Sequence, residues 1–425
     1  MVHGNQPVAS ARSVDTDNAN RDGWRCAPLC GLWLIAILPK SLQLVLFLFW
    51  LAIVAVFEIR DASKMRRIDF GLAMLVSMVA VHILSVMLNS YGADTNRVLA
   101  ACNTVCIWLV SIALFFFYSR GMVRLETAAN IAVFNILICV VLAAVASFGD
   151  LSFVSLSDER HLNVVDWLNG NQGERFVGFL EYPNLVSLMY FVMFPLSLYS
   201  VRSWKSPLLK YGYCILAMYP VFEASSRSGM ILAVVALAIA LAYLAREKGS
   251  SKGRWRNVLM LGGLVVLLVV VINWVSIVDA IDSLLSGRQG SNTTRSLLYL
   301  RSIEDVLESS PFIGRGIKFT EYPFGDSIPL GSHSTYIGIL YKTGFLGLAM
   351  GFLAFLCELK TFMKCPIGLS NKIFALAFLM VFVAFLAIED VDGSNWSLAV
   401  VFIVAGITLG QCAETTPLER VGGVS

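Results

Sequence analysis

The sequence predicts an all-α membrane protein, a bundle of about twelve transmembrane helices with a long, partly helical loop on one side. Three observations predict it. Of 425 residues, 57% are hydrophobic and 14% charged, whereas soluble domains carry roughly a quarter charged residues. That charge is too sparse to cover a water-facing surface of this size. Apolar runs long enough for a helix to cross the hydrocarbon core, about 17–25 residues, recur along the chain. Lysine and arginine alternate between successive loops, dense in one set and sparse in the other.

The expected spans are 27–39, 41–57, 68–89, 98–117, 125–149, 184–201, 211–224, 229–245, 257–276, 335–357, 373–388 and 395–411. The first is short and is separated from the second by Pro39-Lys40, so 27–57 reads either as two spans or as a re-entrant hairpin. The seventh is also short. With the N-terminus inside, the inner loops hold Arg60, Lys64, Arg66 and Arg67, then Arg120 and Arg124, then Arg202, Lys205 and Lys210. The pattern continues through Arg246 to Lys372 and takes in most of the 32 lysines and arginines. Both termini are therefore expected in the cytoplasm. The implied organisation is a polar tail over 1–25, N-terminal transmembrane helices over 26–149, a core over 150–411 and a tail over 412–425. The core contains outer loops at 150–183 and 277–334.

Several classes of function are not expected. The net charge of +3 comes without a basic run interleaved with aromatics, so no nucleic-acid partner is expected. No signal-peptide or lipidation pattern is recognisable. The nine cysteines lie in or beside apolar segments and read as small hydrophobes rather than as a disulfide framework. Cys26 and Cys30, like Cys102 and Cys106, share a helix face but lack the further ligands of a zinc site. Neither a metal nor another cofactor is expected, and no phosphate-cradling glycine loop is present.

The outer loops carry what topology does not explain. In the longer one, Asn292 or Thr293 can cap an amphipathic helix with an apolar stripe of Leu300, Ile303, Val306 and Leu307, ended by Pro311 and Gly314. Arg160, Arg175, Arg227, Arg288, Arg295, Arg301, Arg315 and Lys318 all fall on this outer side, against the positive-inside rule. Arg175 stands in Glu174-Arg175-Phe176, shortly before Glu181-Tyr182-Pro183-Asn184, and Arg227 in Ser225-Ser226-Arg227-Ser228-Gly229. A guanidinium stays charged and binds phosphate oxygens bidentately, so several converging on one membrane face suit a lipid-linked pyrophosphate. The plain alternative for each is snorkelling to the interface or pairing with a local acid such as Glu174, Glu304 or Asp305.

Among the four histidines, His333 stands where the outer loop re-enters the membrane, in Gly331-Ser332-His333-Ser334-Thr335-Tyr336. An imidazole there can take a proton from an acceptor hydroxyl near neutral pH. His82, inside the third span, reads as a structural or helix-to-helix hydrogen-bonding group, and His161 as solvated. Asp390 and Asp392 are spaced like an acidic ligand pair but read as solvated or as an arginine partner.

The order of these motifs carries a resemblance. Pro183-Asn184 precedes a span, Ser226 to Gly229 opens another, and a long outer loop follows with Gly287-Arg288, Arg295 and Ser310-Pro311-Phe312-Ile313-Gly314-Arg315-Gly316. His333 then precedes a span containing Gly344-Phe345-Leu346-Gly347. Over 175–347 the chain resembles the O-antigen ligase and O-antigen polymerase family of bacterial envelope glycosyltransferases. Many members have asparagine directly after the histidine, where this chain has Ser334.

The resemblance implies glycan transfer from an undecaprenyl pyrophosphate-linked donor at the periplasmic face of the inner membrane, without a metal or nucleotide sugar. The acceptor would be lipid A–core in a ligase, or another lipid-linked glycan in a polymerase. His333 would be the catalytic base, and Arg227, Arg288, Arg295 and Arg175 would hold the pyrophosphate. The rival reading is a transporter or flippase of lipid-linked sugars. Against it stand the scarcity of ionisable residues within spans, Lys342 being the main one, and the absence of an internal hydropathy repeat.

Overall fold

The computed structural model describes residues 24–59, 69–149, 176–224, 226–246, 289–320 and 329–414. Among these residues all regular structure is helical: α1 (Ala27–Cys30), α2 (Leu32–Ile37), α3 (Lys40–Ile59), α4 (Phe70–Asn89), α5 (Thr95–Tyr118) and α6 (Leu125–Gly149) come first. They are followed by α7 (Pro183–Val201), α8 (Pro207–Leu216), α9 (Tyr219–Glu223), α10 (Arg227–Ala245) and α11 (Gln289–Ser309). The chain then forms α12 (Thr335–Lys364), α13 (Leu369–Leu386) and α14 (Asn395–Glu414). Among the described residues, α3 to α7, α10, α12 and α13 are long and apolar enough to cross a membrane, and α14 carries a shorter apolar stretch over Asn395–Gln411. The expected ninth span, 257–276, lies outside the described residues.

Two expected spans are broken. Leu38 is extended, as a residue before proline prefers to be, which ends α2 and frees Lys40 to open α3. Arg25 at the near end of this run donates to the Met122 carbonyl (2.9 Å), and Lys40 at its far end donates to the Gly393 carbonyl (2.5 Å). Met122 lies in the α5–α6 turn and Gly393 in the α13–α14 loop. These are opposite ends of the bundle, because α14 runs alongside α5 from the Asn103–Asn395 hydrogen bond to the Gln411–Val123 one. Residues 25–40 therefore traverse the bundle in two pieces rather than turning back as a hairpin. The run 207–223 does likewise as α8 and α9, interrupted ahead of Pro220, whose missing N–H and fixed φ disfavour an uninterrupted helix.

The core is arranged around α7. Of its apolar window 83% is buried, against 17% for that of α3. Tyr190 stacks on Phe194 (4.7 Å), and Phe191 meets Phe385 of α13 (4.9 Å). By contrast α3 turns Leu42, Val45, Leu46 and Phe49 outward, which an aqueous surface would not tolerate as one patch and a bilayer does. The principal packing partners are α4 with α12, α5 with α14, and α6 with α7.

The cysteines need one correction. Cys26, Cys139 and Cys214 are buried free thiols, but Cys30, Cys102 and Cys106 face outward, and Cys365 at the end of α12 is disulfide-bonded.

Candidate active site

The end of the bundle that holds Lys40 and Gly393 also gathers the chemistry. Here three of the described connecting segments, 310–320, 329–334 and the α13–α14 loop, do not lie over the helices; they sink between them. Residues 310–320 follow α11 and wedge between α4 and α12. Ser85 donates to the Gly314 carbonyl (2.7 Å), and the His82 ring nitrogen pairs with the Gly316 carbonyl (3.1 Å). His82 thus bonds a loop rather than another helix. On the other flank Arg315 N donates to Tyr341 O (2.7 Å), and Phe345 and Leu346 donate to Pro311 and Phe312 (2.9 and 3.1 Å).

Glycines make this wedge possible. Gly344 breaks α12 with φ 62° and ψ −167°, in a region that L side chains rarely occupy. A Cβ on Gly344 would collide with the Phe312 backbone, and one on Gly314 would stand 2.5 Å from the Gly344 nitrogen. The motifs Pro311 to Gly316 and Gly344 to Gly347 are therefore two halves of one backbone contact.

The second sunken loop lies between α13 and α14. Glu389 is 1% exposed and Asp390 5%, so neither is solvated. Glu389 accepts from Tyr182 and from Asn184, both at 2.7 Å, while its carbonyl accepts from Thr335 N (2.9 Å) and Thr335 Oγ1 (2.7 Å). One residue thereby ties the Pro183-Asn184 start of α7 to the start of α12. Asp390 pairs with Lys318 (2.5 Å). Asp392 pairs with Lys342 and accepts from Trp108 Nε1 (2.5 Å). The partners of both aspartates are lysines, not the arginine expected. Glu181 nearby is held by Ser394 (2.7 Å), Gln43 (3.3 Å) and Lys40 (3.6 Å).

These surroundings set the protonation chemistry. Burial raises the Glu389 carboxyl, against the hydrogen bonds from Tyr182 and Asn184 and the charge of Arg295. Burial, then the neighbouring Asp392 carboxylate, lifts Asp390 above the ordinary carboxylate range. Burial works against the Lys318 charge, but Asp390 and Asp392 outweigh it, so the ammonium is held above its ordinary range.

His333 sits where the third segment, 329–334, meets α11. It adopts φ 61°, the only positive φ of a non-glycine residue among those described, and such strain is stored where surroundings over-determine it. The Tyr299 hydroxyl on α11 donates to its carbonyl (2.5 Å). Ser334 next to it caps α12, accepting from Ile337 N at 3.4 Å. Asparagine fills an N-cap equally well, so Ser334 preserves the local structure that the usual asparagine would give. Burial first, then Arg295 and Lys318, push the His333 imidazole down to about 3.

Of the five residues singled out from the sequence, Arg295 and His333 are brought together. Arg227 opens α10 at this same end, where Gly229 packs tightly against Ser187 of α7. Phe176, which follows Arg175, donates to the Glu223 carbonyl (3.2 Å) just ahead of α10. Arg175 and Arg288 themselves lie outside the described residues. The helix carrying Arg295 begins at Gln289 rather than near Asn292. It buries Leu298, Ser302 and Val306, whereas Leu300 and Leu307 of the expected stripe are exposed. Arg301 pairs with Glu304 in the open (3.1 Å), and Arg315 with Asp305 (3.2 Å), as the plain reading of the arginines expects. Among the described residues no three His, Cys, Asp or Glu side chains converge as a metal site would require.

Sequence reasoning missed Lys318, Lys342, Glu389, Asp390, Asp392 and Tyr299 as members of one assembly. A signal was present. A lysine inside a span requires a counter-ion, and Glu389-Asp390-Val391-Asp392 is an acidic run at the matching end.

The family model described as O-antigen ligase matches residues 212–352. The match supports an O-antigen ligase/polymerase family assignment. No curated protein matches the chain. The matched third contains Arg227, Arg295, Lys318, His333 and the Gly314–Gly344 contact. Glu389, Asp390, Asp392, His82, Trp108 and the Glu181–Asn184 motif lie outside it, so the matched segment meets α4, α5, α7 and the α13–α14 loop at this end. The apolar helices and this match together support a multi-pass membrane protein similar to enzymes of O-antigen ligase/polymerase type.

Proposed function

We propose that the protein transfers a glycan from an undecaprenyl pyrophosphate donor to a lipid A–core or glycan acceptor, at the periplasmic face of the inner membrane. The observation that carries this reading is the convergence of Arg295 and His333 over the Tyr299 hydrogen bond, within the segment that matches the O-antigen ligase family. Arg295, with Arg227, Arg288 and Arg175, holds the pyrophosphate and stabilises the charge that develops as the anomeric bond breaks. His333 takes the acceptor proton. The polyprenyl chain stays in the bilayer while its headgroup reaches the sunken loops. The positive-inside pattern assigns this end to the periplasm and both termini to the cytoplasm. Purified protein given a lipid-linked glycan with lipid A–core, or with a second repeat unit, tests the reading. Single transfer identifies a ligase and chain growth a polymerase, and no product with either contradicts the proposal.

One observation favours a flippase of lipid-linked sugars instead. The Lys342–Asp392 pair is buried within the bundle, the kind of site transporters use. Reconstituted vesicles separate the two: donor that crosses the membrane unaltered, with no glycosidic bond made, would support transport.

A further inference from the structure

The charged and titratable groups around His333 come from three elements. From α11 come Arg295 and, one turn later, Tyr299, whose hydroxyl holds the His333 carbonyl. From the 310–320 wedge comes Lys318, and from the α13–α14 loop come Asp390 and Glu389, whose carbonyl holds Thr335. The two cations are differently placed. Lys318 is paired with Asp390 (2.5 Å), so its position and charge are fixed by the protein. Arg295 acts on both His333 and Glu389. Yet its Nε has no hydrogen-bond partner, and among the described residues no carboxylate pairs with it. Glu389 is instead satisfied by Tyr182 and Asn184. An imidazole beside two cations in a buried setting is a poor proton acceptor at neutral pH.

We propose that Arg295 and Lys318 form a charge gate on His333, so that the imidazole takes the acceptor's proton only once a pyrophosphate headgroup has neutralised Arg295. The gate rests on the glycan-transfer reading above and adds an order of events to it. In the step itself the acceptor hydroxyl loses its proton to a ring nitrogen of His333, and its oxygen forms the new bond to the anomeric carbon. The anomeric C–O bond to the donor breaks, and its electron pair leaves on the polyprenyl pyrophosphate. Donor occupancy thereby switches on the base. Lys318, pinned by Asp390, is a positioning residue that keeps the base quiet in the empty site.

Diethyl pyrocarbonate acylates neutral but not protonated imidazole, and mass spectrometry of the His333 peptide isolates its pH midpoint from those of the other histidines. Saturating geranylgeranyl pyrophosphate should raise that midpoint by roughly one pH unit or more, since a unit corresponds to about 1.4 kcal/mol of charge interaction. Arg295→Met should show a raised midpoint without ligand and little further shift. The paired change K318M with D390N removes both charges without stranding either, and should also raise the midpoint of the empty protein. An unchanged midpoint in wild-type protein with ligand bound overturns the gate, and that comparison needs no variant. An unchanged midpoint in the paired variant overturns the part given to Lys318. The gate and the parent reading fail separately: normal glycan transfer by His333→Ala sinks the function, whereas an inactive His333→Ala with an immovable wild-type midpoint sinks the gate alone.

Discussion

The two ends of the bundle satisfy their charges by different means. At the end holding the α5–α6 turn, basic side chains meet rings and carbonyls. Arg120 lies over Phe116 (4.4 Å) and Phe117 (4.9 Å), Arg202 donates to the Tyr243 hydroxyl (3.2 Å), and Lys372 to the Met363 carbonyl (2.6 Å). Among the described residues the connectors there are short turns such as that capped by Ser206. At the other end lysines meet buried carboxylates, and whole loops are drawn among the helices. The first arrangement is what anchoring at an interface requires. The second is expensive in a membrane and persists where function needs it. Charge at the first end suits anchoring at an interface; charge at the second draws loops in among the helices.

The largest effect should come from breaking a buried pair on one side only. Lys342→Met strands Asp392 and should destabilise the protein by roughly 3–5 kcal/mol, with much of the loss recovered when D392N is added. Thermal unfolding in detergent micelles measures both. If the single and double variants are equally unstable, the ion pair is not the reason the loop sinks. Gly344→Ala comes next, because it forces positive φ on a side chain and drives a Cβ into the Phe312 backbone. A loss of about 2–4 kcal/mol is expected, and an Ala variant as stable as wild type would mean the wedge is not tightly held.

Smaller effects sharpen the contrast. The imidazole of His333 is held low, so the folded state refuses a proton that the unfolded chain accepts below about pH 6.5. That contribution to stability is complete above the unfolded value and is lost as the pH falls from there towards about 3. Wild type should therefore lose more stability on acidification than His333→Gln, and parallel curves would contradict the burial of His333. The least effect is expected from Arg301→Ala at the exposed pair with Glu304, about 0–1 kcal/mol. A large loss there would erase the distinction between the site's arginines and those on its rim.

How much was legible in the sequence follows from the same physics. Hydropathy locates long helices because a bilayer demands about 20 apolar residues in a row, and α4 to α7, α10, α12 and α13 lie near their expected positions. It does not reveal that 27–39 and 211–224 cross in pieces, since the breaks at Gly31 and ahead of Pro220 interrupt helices without changing their apolarity. His333 and Arg295 were legible as polar groups without a topological reason. The partners of Lys318 and Lys342 were not, because Asp390 and Asp392 are far away in sequence and are brought there only by the packing of α14 against α5. The α11 stripe keeps Ile303 and Val306 as expected but takes Leu298 in place of Leu300 and Leu307, for a similar reason. The face of an amphipathic helix is chosen by what it packs on, here Leu330, Leu340 and Tyr341.

Under the proposed function, His333 beside Arg295 performs the chemistry of glycan transfer. Purified wild-type protein and His333→Ala, matched for folded amount and given the same lipid-linked glycan and acceptor, test it most directly. Wild type is expected to give product, and the variant to lose at least about a hundredfold, the usual contribution of a positioned base. Equal product from both proteins would contradict it.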